Sequence, residues 1–267
     1  MFSKLFTLRG ELNKKTSLVI EISGFFFLFS LWAVITSLGL IPSSLLPSPL
    51  RVLSSFSELH FEDALIRELG YSIKINVYGY IEAILFSLPI GFIIALFPIF
   101  REMFRRYVDA VRFLPLTALT GLFIAWFGIG TDMKVQFLAF GISVYLIPVV
   151  IQRISEVDQV YCDTLYTLGG NKWHIIRHVF IPDVLSKVID DIRVLVAISW
   201  TYIIVAELLN KSDGGIGSLA YTSARQGRVD KVFAILIVII IVGFIQDKLI
   251  SSLSLVLFPH KKIRGEK

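Results

Sequence analysis

The sequence predicts an all-α membrane protein, a polytopic bundle of about six transmembrane helices, and three observations lead there. Hydrophobic residues fill 55% of the 267 positions, charged ones only 18%, and the mean hydropathy is +0.75. Soluble domains carry about 25% charged and about 45–50% apolar residues, so this composition excludes an ordinary soluble enzyme. A chain this apolar cannot stay solvated, which excludes disorder. Six stretches reach or approach the roughly 20 apolar residues that cross a bilayer core. Finally, Lys and Arg are distributed unevenly among the segments joining those stretches. The single cysteine, Cys162, allows no intrachain disulfide and no thiolate-rich metal site.

Taken in order, residues 22–50 carry no charge, and the apolar part ends near Pro42. The basic leader Lys4, Arg9, Lys14 and Lys15 resembles the start of a signal peptide. The apolar region nevertheless exceeds the about 7–15 residues of a signal core, and no small-x-small cleavage site follows, so it reads as a retained span. Residues 77–100 contain one charge, Glu82, while residues 113–131 and 135–152 contain none. Residues 192–209 hold only Arg193 and Glu207, near the two ends. Residues 232–246 are uncharged and continue past Asp247 and Lys248 to Phe258. Pro89 and Pro148 lie inside spans, where neighbouring helices satisfy the freed carbonyl, and read as kinks.

Basic residues in short connecting segments stay on the cytoplasmic side. One set comprises the N-terminal four, Arg101, Arg105, Arg106 and Arg112 after the second stretch, Arg153, Lys172 and Arg177 after the fourth, and Lys261, Lys262, Arg264 and Lys267 at the end. The opposite set is smaller: Arg51, Arg67, Lys134, Lys211, Arg225, Arg228 and Lys231. Both termini are therefore expected to be cytoplasmic, with tails at 1–16 and 259–267 flanking a transmembrane domain at 17–258. Topology accounts for most of the basic residues and for the net charge of +5, without any nucleic-acid partner.

The connection over 153–182 is too long for a simple link in a compact bundle, and such connections are usually functional. It reads as two short helices around a turn. Residues 156–168 place Val157, Val160, Tyr161, Thr164, Leu165 and Leu168 at helical spacing. Gly169 and Gly170 stop that helix, glycine permitting the left-handed closing residue. Asn171 is placed to cap a second helix whose apolar side is Trp173, Ile176 and Phe180. Pro182 is expected to prevent simple continuation into the fifth span. The product is a partly amphipathic elbow suited to the cleft of another protein.

These residues resemble the cytoplasmic loop of the permease subunits of type I ABC importers. In that family an EAA motif opens Glu-Ala-Ala, with a glycine six residues after the Glu and a proline thirteen after the glycine. Here Asp163-Thr164-Leu165 stands at the opening, Gly169 six beyond Asp163 and Pro182 thirteen beyond Gly169. Asp replaces Glu, and Thr-Leu replaces Ala-Ala. The run IPSSLLPSPLRVL at 41–53, WFGIG at 126–130, and AELL with SDGGIGSLA across 206–220 resemble the nitrate, sulfonate, taurine and bicarbonate branch. The proline-rich segment usual before the third span is reduced to FLPLTAL, with Pro115 alone.

The resemblance implies a type I importer permease fold in a bacterial inner membrane. It implies a translocation subunit for a small anionic or polar solute, with Asp163, Thr164, Leu165, Gly169, Trp173 and Pro182 coupling to a dimer of cytoplasmic ABC ATPases. A second copy of the permease, as a homodimer, and a periplasmic or lipid-anchored substrate-binding protein complete the expected assembly. No cofactor or metal is implied. The chain agrees in lacking G-x-x-x-x-G-K-[ST], whose amides cradle phosphates, so hydrolysis falls to another subunit.

Other constellations carry competing readings. His174 and His178 stand four apart, but Ile175 occupies the glutamate position of H-E-x-x-H, so polar-face histidines are preferred to a metal site. Asp190 and Asp191 read as solvated carboxylates, not an acid–base pair. An intramembrane charge generally faces protein or water, which makes Glu82, Arg193 and Glu207 candidates for the translocation path. Arg193 either pairs with Asp190, the favoured reading, or meets an anionic substrate; Glu207 either gates or supports packing. The alternative function is a self-contained secondary carrier, which would normally show inverted repeats, and none is evident.

Overall fold

In the computed structural model, residues 10, 12–209, 213–259 and 261 are described. Lys4, Arg9, Lys211, Lys262, Arg264 and Lys267 of the charge count lie outside them, as does Ser212 of the SDGGIGSLA segment. Every regular element among the described residues is a helix, and these residues divide into two compact units.

The first unit combines the chain up to Asp63 with residues 222–234. Helix α1 (Lys14–Ser37) starts at Asn13, whose side chain accepts from the Lys15 amide at 3.2 Å. It is apolar all round and buries no residue, as suits a lipid-facing span. The Trp32 indole donates to the Pro47 carbonyl (3.0 Å) and stacks on Phe233. Ser48 and Pro49 then open α2 (Pro49–Phe61), a capping residue followed by a proline at the first helical position. Run length alone does not predict this helix, because Arg51, Glu58 and His60 interrupt its apolar residues. An ionic cluster ties the unit together: Arg228 reaches Glu58 at 2.7 Å and Asp230 at 2.9 Å, and Lys231 reaches Asp63 at 2.5 Å. The Arg228 hydrogen bond holds the Glu58 carboxyl below its ordinary range. Arg228 and Lys231 thus have structural partners beyond any role in topology.

In the second unit, α3 (Leu65–Leu96) packs along α6 (Thr131–Ser155), and α6 packs on α9 (Ile181–Leu209). The face that α3 buries carries a ladder of small or polar residues, Ser72, Asn76, Gly79, Ala83, Ser87 and Gly91, beside the apolar Ile75 and Ile94. Small residues let helix backbones approach closely where no hydrophobic driving force separates helix from lipid. A Cβ at Gly79 would press on Leu138, and one at Gly91 on Val150. Facing them on α6 are Leu138 and Val150, while Met133 and Phe137 pack with Leu116, Phe123 and Ala206. Pro89 and Pro148 both sit inside continuous helices.

The five helices long and apolar enough to cross a membrane include α1, α3, α6, the 172–209 segment and α11 (Val229–Leu257), which passes through Asp247 and Lys248 without a break. A continuous third span over 113–131 is not found. Instead α4 (Pro98–Val111) bends by 94° into a 3₁₀ turn (Leu116–Leu119) and the short α5 (Thr120–Phe127). Pro115 lies in the break; its fixed φ and missing N–H cannot continue an incoming helix, and it biases Leu114 away from helical backbone. Counting that bent pair, the total is six.

Candidate functional site

The insert folds as two helices around a turn. Asp158 caps α7 (Gln159–Thr167), accepting from the Val160 amide at 3.0 Å. The helix begins later than residue 156 because the Glu156 amide still belongs to α6, bonding the Gln152 carbonyl at 3.1 Å. At the other end Gly169 has φ +79°; its amide bonds the Tyr166 carbonyl and that of Gly170 bonds the Leu165 carbonyl, both at 2.9 Å. This pair of bonds is the Schellman closure, which favours glycine at the left-handed position. Asn171 caps α8 (Lys172–Ile175) at the His174 amide (3.0 Å), and His174 Nδ1 accepts from the Asn171 amide (3.3 Å).

Pro182 does not separate α8 from the fifth span. A π turn over Ile176–Phe180 links α8 to α9, so the helix runs from 172 to 209. Pro182 sits in the first turn of α9, and the widened turn before it accommodates a residue that has no N–H to donate.

Thr164, Leu165 and Pro182 line one groove of about 420 Å³, together with Leu168 and His178. Asp163 lies apart from it and accepts from Gln159 Nε2 at 3.0 Å. Gly169 shapes the turn, and Trp173 stands 62% exposed. Val160, Tyr161 and Leu168 are exposed as well, so the elbow presents apolar and aromatic surface among the described residues. Cys162 is buried, and burial raises its thiol pKa.

The base of the elbow is braced by Arg153, whose guanidinium grips both Asp191 oxygens (2.8 and 2.7 Å) and Glu156 (2.8 Å). That contact holds the Glu156 carboxyl below its ordinary range. Asp190 meets Lys261 at 2.7 Å. The two aspartates therefore have separate cationic partners and are not simply solvated; the sequence could not show that α6 ends beside Asp191.

Glu82, Arg193 and Glu207 each have their own partner. Glu82 accepts from Gln136 Nε2 at 2.5 Å. Arg193 does not pair with Asp190; it forms a forked pair with Asp247 on α11, at 2.9 and 3.0 Å, because Asp247 matches both guanidinium donors. Glu207 is fully buried and accepts from Ser72 Oγ (2.5 Å) and the Gly217 amide (2.7 Å). The Gly215 and Ile216 amides go to Glu68 (2.6 Å) and Ser72 (2.9 Å). The orphan amides at the start of α10 (Ile216–Arg225) are thereby satisfied by side chains of α3 and α9. Gly215 has φ +112°, and a Cβ there would fall on the Glu207 carboxylate. His174 and His178 have ring centres 6.3 Å apart, and no group of three or more metal-ligating side chains is clustered among the described residues.

Residues 87–253 match the family described as the binding-protein-dependent transport system inner membrane component. The chain belongs to this family. Among curated relatives, the aliphatic sulfonates transport permease SsuC of Bacillus subtilis is 29% identical over 85% of this chain and 82% of its own length. The taurine transport permease TauC of Escherichia coli is 25% identical over 82% of each chain. These relatives agree with the branch indicated by residues 41–53, 126–130 and 206–220. Among solved structures, an inward-facing MetNI methionine ABC transporter aligns with TM-score 0.64 at 17% identity, covering 72% of this chain and 95% of that one. An alginate-importing bacterial ABC transporter aligns with TM-score 0.59 at 14% identity, covering 89% and 98%. The fold is that of type I ABC importer permeases, and the protein is a multi-pass inner-membrane permease subunit. It is the non-catalytic translocation component of an importer that works with an ABC ATPase and a substrate-binding protein. The secondary-carrier alternative is not favoured.

Proposed function

We propose that this permease acts as a homodimer with both termini cytoplasmic, and that it imports a small anionic solute of the sulfonate type. The named substrates of SsuC and TauC and the basic bias of one side of the membrane support this reading. The observation that carries the mechanism is the elbow. It joins a hydrogen-bonded glycine turn to exposed Leu168 and Trp173, and it continues without interruption into α9. Asp163, Thr164, Leu165, Gly169, Trp173 and Pro182 form the coupling element; an ATPase that moves it moves α9 as a lever.

Glu82, Arg193 and Glu207 act on the same path as positioning residues. Their charge is already taken up by Gln136, Asp247, and Ser72 with Gly217, so each fixes a helix or loop that borders the path. The test is transport by proteoliposomes containing the permease with its ATPase and binding protein. Uptake of a radiolabelled alkanesulfonate should require ATP and the binding protein. Uptake driven by an ion gradient without the ATPase would sink the reading.

A further inference from the structure

Helix α4 has two unlike faces. Phe100, Met103, Phe104 and Tyr107 are exposed on one, an arrangement suited to lying at a membrane interface. The other face carries Arg101, Arg105 and Arg112 and forms a wall of a cavity of about 790 Å³. The opposite wall is the end of α6 with the elbow residues Lys172, Ile175 and Ile176. Four cations thus line the cavity against one acid, Asp109. Arg101 donates to the Ala95 carbonyl at 2.6 Å, capping the end of α3. The side chains of Arg105, Arg112 and Lys172 make no hydrogen bond or ion pair among the described residues, although Arg112 lies over the Phe113 ring. Structural cations elsewhere in the chain, such as Arg153 and Arg193, have carboxylates.

We propose that this cavity binds a phosphate-bearing anionic group. Guanidinium forks match phosphate oxygens bidentately, and basic pockets among membrane helices at the interface suit anionic headgroups. The volume falls within the about 300–1,000 Å³ of small-molecule sites. An aromatic face of this kind suits headgroup depth, where lipid would reach the cavity. Because Lys172 and Ile175 form part of its wall, an occupant bridges α4 to the elbow.

The test uses the permease assembled with its ATPase in nanodiscs of mixed phosphatidylglycerol and phosphatidylcholine, with retained lipid read by native mass spectrometry. Wild type should be enriched in phosphatidylglycerol, and Arg105→Gln with Arg112→Gln should lower that enrichment about tenfold or more. Arg106→Gln removes one positive charge from α4 outside the cavity lining and should leave the enrichment unchanged. The pair Arg105→Lys and Arg112→Lys should retain most of it. A second arm titrates inorganic phosphate into phosphatidylcholine-only nanodiscs; a melting-temperature rise in wild type and Arg106→Gln, but not in the glutamine pair, identifies a soluble phosphate as the occupant. Absence of both the enrichment and the phosphate shift in wild type overturns the proposal, as does an equal loss on Arg106→Gln. These readouts measure binding alone, so they fail or succeed independently of the coupling role of the elbow.

Discussion

Glu207 shows how a charge near the end of a span is made tolerable. Its carboxylate takes donors from Ser72 and Gly217, and the Ser72 hydroxyl in turn accepts from Ile216. Glu207→Ala strands buried donors at about 1–3 kcal/mol each, so the purified variant should melt lower and become protease-sensitive near 213–217. Arg193 and Asp247 call for a double-mutant cycle. Each alanine variant leaves its partner unpaired, so both should lose stability while the double variant loses less than the sum, with a coupling energy of about 0.5–3 kcal/mol. Additive losses would dismiss the pair. The sequence located Arg193 and Glu207 but not their partners. Asp190 lies one turn from Arg193 in the sequence, whereas Asp247 is 54 positions away and meets it only because α9 and α11 align. The glycines after Glu207 did carry a readable signal: GGIG following a buried acid is a backbone made to approach a carboxylate.

At the scale of elements, periodicity and punctuation were legible. Asn171 as a cap, Gly169 as a left-handed stop and the two-helix insert follow from local backbone chemistry and stand as expected. Pro182 and the third stretch did not follow. A proline rule says where a helix loses a bond, but not whether a π turn will absorb the loss or a 94° bend will result. The small-residue ladder of α3 was visible in the sequence at near-fourfold spacing, yet run length alone conceals it. Gly91→Leu should overpack against Val150 and cost about 1–3 kcal/mol, read as a lower melting temperature in detergent. Gly24 has open space around it, and the same substitution there should be nearly silent.

For the whole molecule, orientation is the first matter to test. Cys162 is a poor reporter, being buried with a raised thiol pKa, and should react slowly from either side. In a Cys162→Ala background, a cysteine at Ser54 should be labelled by an impermeant maleimide in intact cells, and one at Lys172 only after permeabilisation. The reverse pattern would contradict the orientation. The central claim is that the elbow transmits ATPase movement to α9, and co-purification of the ATPase tests it most directly. Open space surrounds Gly169, so the effect of a substitution comes from its φ of +79° and from whatever covers the elbow, not from crowding within the chain. A residue with a Cβ there costs roughly 1–2 kcal/mol, too little to unfold the permease. Gly169→Asp should therefore reach the membrane at normal abundance yet fail to retain the ATPase or its stimulated hydrolysis, whereas Arg193→Ala, though destabilised, should keep it bound. Full ATPase retention and full transport by Gly169→Asp would contradict the account.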